Sequence, residues 1–318
     1  VSGFERVTIV GAGLIGGSVV RRLVDLGRTV TVVDPDAVTR AAASDLGAAV
    51  ADQVPGDADL VVVATPLDAL AAALADAAAA APHAVVVDVG SVKQVPATAA
   101  VDAGLGDRYV GCHPMAGTEH TGFEHSDGDL LVGATWAVVH TGGAEETARV
   151  VAWAVEEFDA TVVVLEAEDH DRAVARVSHA PHALAHALLA IGERADDPGV
   201  AGLLAAGSFT DGTRVAGRNP ARTLNMLAEN AAALAPVLDE LLVELTALRD
   251  ELGDPAALGD RLTAVAAADG PLRRPQHDFA ACGSLVDAVA AARADGAALV
   301  VRRGIAGLEV AVAGRGRV

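Results

Sequence analysis

Residues 7–18 restrict the fold of this chain more than any other stretch. Val7-Thr8-Ile9-Val10 is a short β-branched run that enters Gly11-Ala12-Gly13-Leu14-Ile15-Gly16-Gly17-Ser18, and an apolar-periodic segment follows over 19–26. Strand, G-x-G-x-x-G turn and helix in that order form the opening of a βαβ unit that holds a dinucleotide. Gly11 permits the tight turn, Gly13 lets backbone N–H groups approach a pyrophosphate, and Gly16 lets the helix lie close on the strand. The helix N-terminus adds partial positive charge, so Leu14 and Ile15 join the cofactor-binding residues. The next strand, 29–33, ends in Asp34, where a carboxylate can accept both ribose hydroxyls of NAD and repel the 2′-phosphate of NADP. The other reading, a purely structural glycine turn, leaves that strand-end carboxylate unexplained.

The pattern then repeats. A helix over 38–46, a buried strand over 60–64 ending at Thr65-Pro66, an alanine- and leucine-rich helix and a strand over 84–89 predict a parallel sheet. Ligands collect beyond the carboxyl ends of such strands, so Thr65, Pro66, Ser91, Lys93 and His113 should face one crevice. Ser91 is either part of that site or an N-cap of the following helix. Lys93 is either a site residue or a solvated charge. His113 opens His113-Pro114-Met115-Ala116-Gly117-Thr118-Glu119, which follows the apolar run Tyr109-Val110-Gly111. An imidazole at a strand end beside a glycine-containing loop suits chemistry, although a loop histidine can also merely satisfy a carbonyl. Strands over 134–140 and 161–165 flank a helix over 145–158, and the last of these strands should close the first domain.

Beyond residue 166 the periodicity becomes that of long helices. The predicted helix 173–191 carries Ser178-His179-Ala180-Pro181-His182, and Pro181 should kink it and aim His182 at a site. His179 falls on another side and reads as a core or interface histidine. Arg214 and Arg218 are one helical turn apart and could present a fork to a carboxylate, with Arg218 the better candidate for a surface charge. A helical stretch over 224–252 is more apolar than a surface hairpin needs, which predicts a dimer interface. After Gly270-Pro271 a helix and a strand over 285–301 belong either to a small appended unit or to a partly ordered tail.

Composition removes several function classes. With 43 acidic against 23 basic residues the net charge is -20, which repels nucleic acid and anionic membranes, and 3% aromatics leave few platforms for stacking bases. The acid-rich, lysine-poor balance fits either a high-salt cytoplasm or a GC-rich genome. Cys112 and Cys282 are too few for a disulfide framework or zinc site, so a reducing cytoplasm is expected and no metal is called for. The apolar run 69–81 is broken by Asp76 and reads as a soluble helix.

With these residues in place the chain resembles the prephenate dehydrogenase family of tyrosine biosynthesis, which includes cyclohexadienyl and arogenate dehydrogenases. The resemblance covers about residues 7–230 and rests on GAGLIGGS (11–18), DVGSVK (88–93), HPMAGTE (113–119), EDHD (168–171), SHAPH (178–182) and GSFTDGTRVAGRNP (207–220). It implies an α/β fold, a Rossmann-type doubly wound parallel sheet followed by an all-helical substrate and dimerisation domain; on the residue pattern these span 1–165 and 166–265, and 266–318 is left as a C-terminal extension. It implies NAD as cofactor and a homodimer acting on a small dicarboxylate. The implied reaction is oxidative decarboxylation of prephenate to 4-hydroxyphenylpyruvate, with His113 as the base for the 4-hydroxyl proton and Ser91 hydrogen-bonded to that hydroxyl or to the imidazole. Arg214 matches the substrate-carboxylate arginine, and His182, Glu119, Asp211 and Gly207 join it on the substrate side; His182 would line the ring or hold Ser91.

Two departures stand out. The family commonly has Trp shortly after the Asn/Asp-Pro step, where this chain has Thr223-Leu224-Asn225-Met226, and the last fifty residues do not match a regulatory ACT domain. The competing substrates are arogenate and 4-amino-4-deoxyprephenate. The β-hydroxyacid dehydrogenases use a lysine from the helical domain, and no lysine follows Lys93. A non-catalytic NAD-binding sensor is the reading from a different class.

Overall fold

Short β-branched runs punctuated by turns fold into β1 (Arg6–Val10), α1 (Leu14–Asp25), β2 (Thr29–Val33), α2 (Ala37–Asp45), β3 (Ala49–Val50), β4 (Leu60–Val63), α3 (Leu67–Ala80), β5 (Val85–Asp88), α4 (Gln94–Asp102) and β6 (Tyr109–Pro114). The structure is a computed structural model and describes residues 3–118, 120–216, 219–267 and 277–313. All residues of β4 and β5 are buried, as strands covered by helices on both faces must be. Fully burying one such valine contributes roughly 1.5–3 kcal/mol.

The chain runs from β1 outward to β2 and β3, then returns past β1 to β4, β5 and β6, all in parallel. The reversal of direction between β1 and β4 opens a crevice at their carboxyl ends. Register lines those ends up: Val33, Val10, Val63, Asp88 and Gly111 are successive partners across the sheet. Asp34, Gly11, Thr65, Ser91 and His113 each lie one to three residues beyond that row.

The sheet continues through β7 (Thr135–Val139), antiparallel to β6, and β8 (Thr161–Leu165), with α5 (Ala144–Phe158) between them. Trp136, Trp153 and Phe158 form an aromatic cluster with ring centroids 5.0–5.8 Å apart beneath this half. Contrary to expectation, β8 does not close the sheet. The C-terminal unit β9 (Ala280–Ala281), α13 (Leu285–Asp295), β10 (Ala298–Gly304) and β11 (Gly307–Ala313) adds three antiparallel strands, with β10 pairing directly on β8. Buried Leu299 and Val301 continue the hydrophobic interior, and pairing β8 removes an exposed apolar edge.

The helical half comprises α6 (Ala167–Val174), a five-residue π turn (Ala175–His179), α7 (Ala180–Gly192), α8 (Pro198–Leu204), α9 (Gly207–Thr213), α10 (Pro220–Glu229), α11 (Ala231–Glu251) and α12 (Pro255–Ala267). The helix expected over 173–191 therefore starts earlier and is interrupted. The widened turn immediately precedes Pro181, which lands in the first turn of α7, where the missing N–H costs least. The helix expected over 224–252 is likewise broken, at Asn230, whose side chain is used elsewhere.

Candidate active site

The glycine turn has the shape a dinucleotide requires. Gly11 has φ +85°, and a Cβ there would stand 3.0 Å from the carbonyl of Ala64; a Cβ on Gly16 would lie 2.0 Å from the Gly11 oxygen. Gly13 is different: none of the described residues lies within 4 Å of its Cβ position, so the space over the turn is open among them. Gly13 is also the N-cap residue of α1 and no side chain caps that helix, which leaves its first N–H groups for a ligand. Leu14 is buried and Ile15 packs on the interior, so both contribute backbone at this point. Across the crevice, the buried Thr65 Oγ1 has no hydrogen-bond partner among the described residues, and Pro66 is the exposed N-cap residue of α3. Asp34 accepts from the Ala12 N–H at 2.7 Å and the Asp36 N–H at 2.9 Å, which holds its carboxylate beside the turn. An open glycine cradle, an uncapped helix and an orphaned hydroxyl together fit a bound dinucleotide.

The loop after His113 is anchored back onto α1. Ser18 accepts from the Asp127 N–H, and Gly17 leaves only enough room for Phe123 and Ser126 to rest on the helix. Arg222 on α10 donates to the Thr118 carbonyl at 3.1 Å, so the helical half closes on the same loop.

His113 stands at the end of β6, paired with Ala137 of β7, and is half-buried. Its Nδ1 lies 2.9 Å from His170 Nε2, and His170 Nδ1 lies 2.7 Å from Asp171 Oδ1. Asp171 also accepts the N–H groups of Lys93 (2.8 Å) and Gln94 (2.9 Å), the first turn of α4. Burial alone would raise the Asp171 pKa, but the His170 bond and the two amides outweigh it and hold the carboxyl below its ordinary value. Burial, with His170, Lys93 and His179 nearby, pushes His113 well below the usual histidine range, so at neutral pH it is an uncharged base.

Behind this chain sits a second buried network. Lys93 Nζ donates to Asp88 Oδ1 and the Cys112 carbonyl, both at 2.5 Å, and Tyr109 donates to Asp88 Oδ2 at 2.7 Å. Lys93 is fully buried, so the solvated-charge reading is wrong. Two further expectations need correction. Ser91 does not cap α4, because Asp171 does so from another helix, and the Nδ1 partner of His113 is His170. His182 Nδ1 donates to the Ser178 carbonyl of its own helix, 2.9 Å away, and makes no hydrogen bond to Ser91. His179 is fully buried; its Nδ1 meets Asn230 Nδ2 at 2.9 Å, and its Nε2 has no partner among the described residues.

Residues 19–164 match the nucleotide-binding domain of prephenate dehydrogenase and residues 166–263 its dimerization domain. The cyclohexadienyl dehydrogenase of Zymomonas mobilis is 33% identical over 259 residues, covering 77% of this chain and 88% of that protein. The chain belongs to the prephenate dehydrogenase family. Two solved family structures agree. The Aquifex aeolicus prephenate dehydrogenase in complex with hydroxyphenyl propionate and NAD+ superimposes with a TM-score of 0.76 at 26% identity, covering 84% of this chain and 97% of that one. The Synechocystis arogenate dehydrogenase gives 0.69 at 26% identity, over 83% and 98%.

As a prephenate dehydrogenase family member the chain distributes its expected site residues unevenly. The Asp34, Gly11, Thr65, Ser91 and His113 positions share the carboxyl edge of one sheet. Gly207 and Asp211 lie exposed on α9, and Arg214 follows at its C-terminal end. That helix packs on α7 through Phe209 against Gly192 and Leu188 against Gly212. Glu119 and Arg218 lie outside the described residues. Sequence reasoning assigned no role to His170 and Asp171, although both sit in the EDHD segment.

Proposed function

We propose that this chain catalyses the NAD-dependent oxidative decarboxylation of prephenate to 4-hydroxyphenylpyruvate, with arogenate as the competing substrate. One observation carries the reading: an uncharged imidazole, His113, is held by its Nδ1 at the mouth of a crevice whose opposite side is a glycine cradle for a dinucleotide. Gly11, Gly13, Leu14, Ile15, Gly16, Asp34, Thr65 and Pro66 would hold NAD, which when bound accepts the hydride from the ring carbon bearing the 4-hydroxyl. His113 takes the hydroxyl proton at Nε2 as the carbonyl develops, a contribution of about 10² to 10⁴ in rate. Ser91, whose side chain makes no hydrogen bond among the described residues, would bond the same hydroxyl. Loss of CO2 then aromatises the ring.

Arg214 supplies the countercharge for a substrate carboxylate in a protein of net charge -20; removing such a partner typically costs about 2–5 kcal/mol. His182, Glu119, Asp211 and Gly207 complete the substrate side. The helical half would provide the contact of a homodimer, and the free thiols of Cys112 and Cys282 support a cytoplasmic location. Arogenate stays in contention because both the Zymomonas and Synechocystis relatives are named for wider or different ring substrates.

The test is kcat/KM for prephenate and for arogenate with NAD, followed as NADH absorbance. Prephenate should be preferred. A higher value for arogenate would transfer the assignment to that substrate, and no NADH with either would leave a nucleotide-binding protein without this activity.

A further inference from the structure

We propose that His170 and Asp171 are positioning residues for this reaction, a histidine–carboxylate pair that fixes the tautomer of His113 and takes up the charge arriving on its ring. The inference rests on His113 being the base. It follows from donor accounting. Asp171 faces two backbone N–H groups and His170 Nδ1, so as a carboxylate it can only accept. His170 must therefore carry its proton on Nδ1 and present a lone pair at Nε2. His113 in turn must donate from Nδ1 across 2.9 Å, which leaves the lone pair of its Nε2 for substrate. The rings meet edge to face, 5.2 Å between centroids and 69° apart, the geometry of an in-plane nitrogen contact.

The pair is built to stay in place. His170 and Asp171 are 2% and 1% exposed, and Asn230 donates to the Asp171 carbonyl at 2.8 Å while contacting His179. These bonds join α6, the π turn, α10 and α4 behind one imidazole, although the residues are far apart in the chain. The break between α10 and α11 places Asn230 at this point.

The O–H bond of the 4-hydroxyl breaks and an N–H bond forms at His113 Nε2, while the Nδ1 proton of His113 passes to His170 Nε2. The electron pair of the adjacent C–H bond leaves as hydride to NAD. Positive charge thus ends on His170, against the Asp171 carboxylate; burial and Lys93 lower both rings, but His113, which has no carboxylate bonded to it among the described residues, is lowered well below the usual range. Every charged neighbour bears on this. Lys93 from the start of α4 and His179 from the π turn oppose a cation here, whereas Asp171 on α6 and Asp88 on β5 favour one, and Cys112 on β6 is held neutral by burial.

The experiment compares Asp171→Asn and His170→Gln with the parent enzyme in kcat, KM, the pH profile of kcat and NAD affinity. Gln at 170 can still accept the His113 Nδ1 proton as a hydrogen bond but cannot take it. We expect kcat to fall about 10²-fold in either variant, with KM and NAD affinity within about threefold, and the acid limb of Asp171→Asn to move to lower pH because a charge favouring protonation is gone. Parent-like kcat in His170→Gln, or an unmoved acid limb in Asp171→Asn alongside normal NAD binding, would overturn the inference. A parent enzyme inactive on prephenate and arogenate would instead refute the proposed function beneath it.

Discussion

The two halves of the chain satisfy their apolar residues in opposite ways. In the nucleotide-binding half β4 and β5 are buried between two hydrophobic clusters, one of which takes in most of α5 together with α13 and β10. In the helical half the buried hydrophobic cluster is Ala175, Ala180 and Leu234, while Leu203 is 87% exposed and Leu204, Leu242, Val243, Leu252, Leu262 and Val265 are also exposed. A sheet covered on both faces is complete within one chain, whereas helices that leave leucines in water are built for a second surface. His113 and the His170–Asp171 pair meet where the two halves join, so in the proposed mechanism the sheet half supplies the base and the helical half supplies what holds it.

This contrast can be broken at several points. The largest effect is expected inside the sheet half. Lys93→Met strips the buried Asp88 carboxylate of its cation and should cost about 3–5 kcal/mol, read from urea unfolding. A smaller loss would mean that Asp88 is satisfied by Tyr109 and the Gly90 amide alone. In the helical half, Leu242→Glu should leave monomer stability within about 0.5 kcal/mol yet shift the molar mass in light scattering toward monomer. An unchanged dimer would place the contact on another face.

Asp34→Ser should weaken NAD and relax the rejection of NADP, and preserved selectivity would remove Asp34 from the cofactor site. The mildest effect is on acid stability. His140 and His179, both pushed down to about 4 by burial, bind protons more readily unfolded than folded. Their stabilising contribution is present above about pH 6.5 and declines as the pH falls toward 4. Thermal unfolding across that window should show the decline, and His140→Gln should reduce it.

Much of this was readable from sequence where the determinants are local. The glycine turn, the strand ends and Asp34 are set by short-range periodicity and steric need, and they fell where expected. The relation of His113 to His170 was not readable, because it is a contact between a strand end and a helix 57 residues away. Lys93 gave a fainter signal: one lysine in a chain that otherwise uses arginine, five residues after Asp88 at a strand end. The cap alternative for Ser91 stayed open because a serine before a helix resembles a cap, whereas the cap comes from Asp171, 77 residues beyond Gln94. The break at Asn230 was hidden by apolar periodicity on both sides of it.

The central claim is that His113 Nε2 removes the substrate hydroxyl proton. Single-turnover formation of NADH from prephenate, measured for the parent and for His113→Asn at saturating NAD, tests it directly. A fall of about 10² to 10⁴ in the rate with NAD affinity preserved is the predicted result. An unchanged rate in the variant would contradict it.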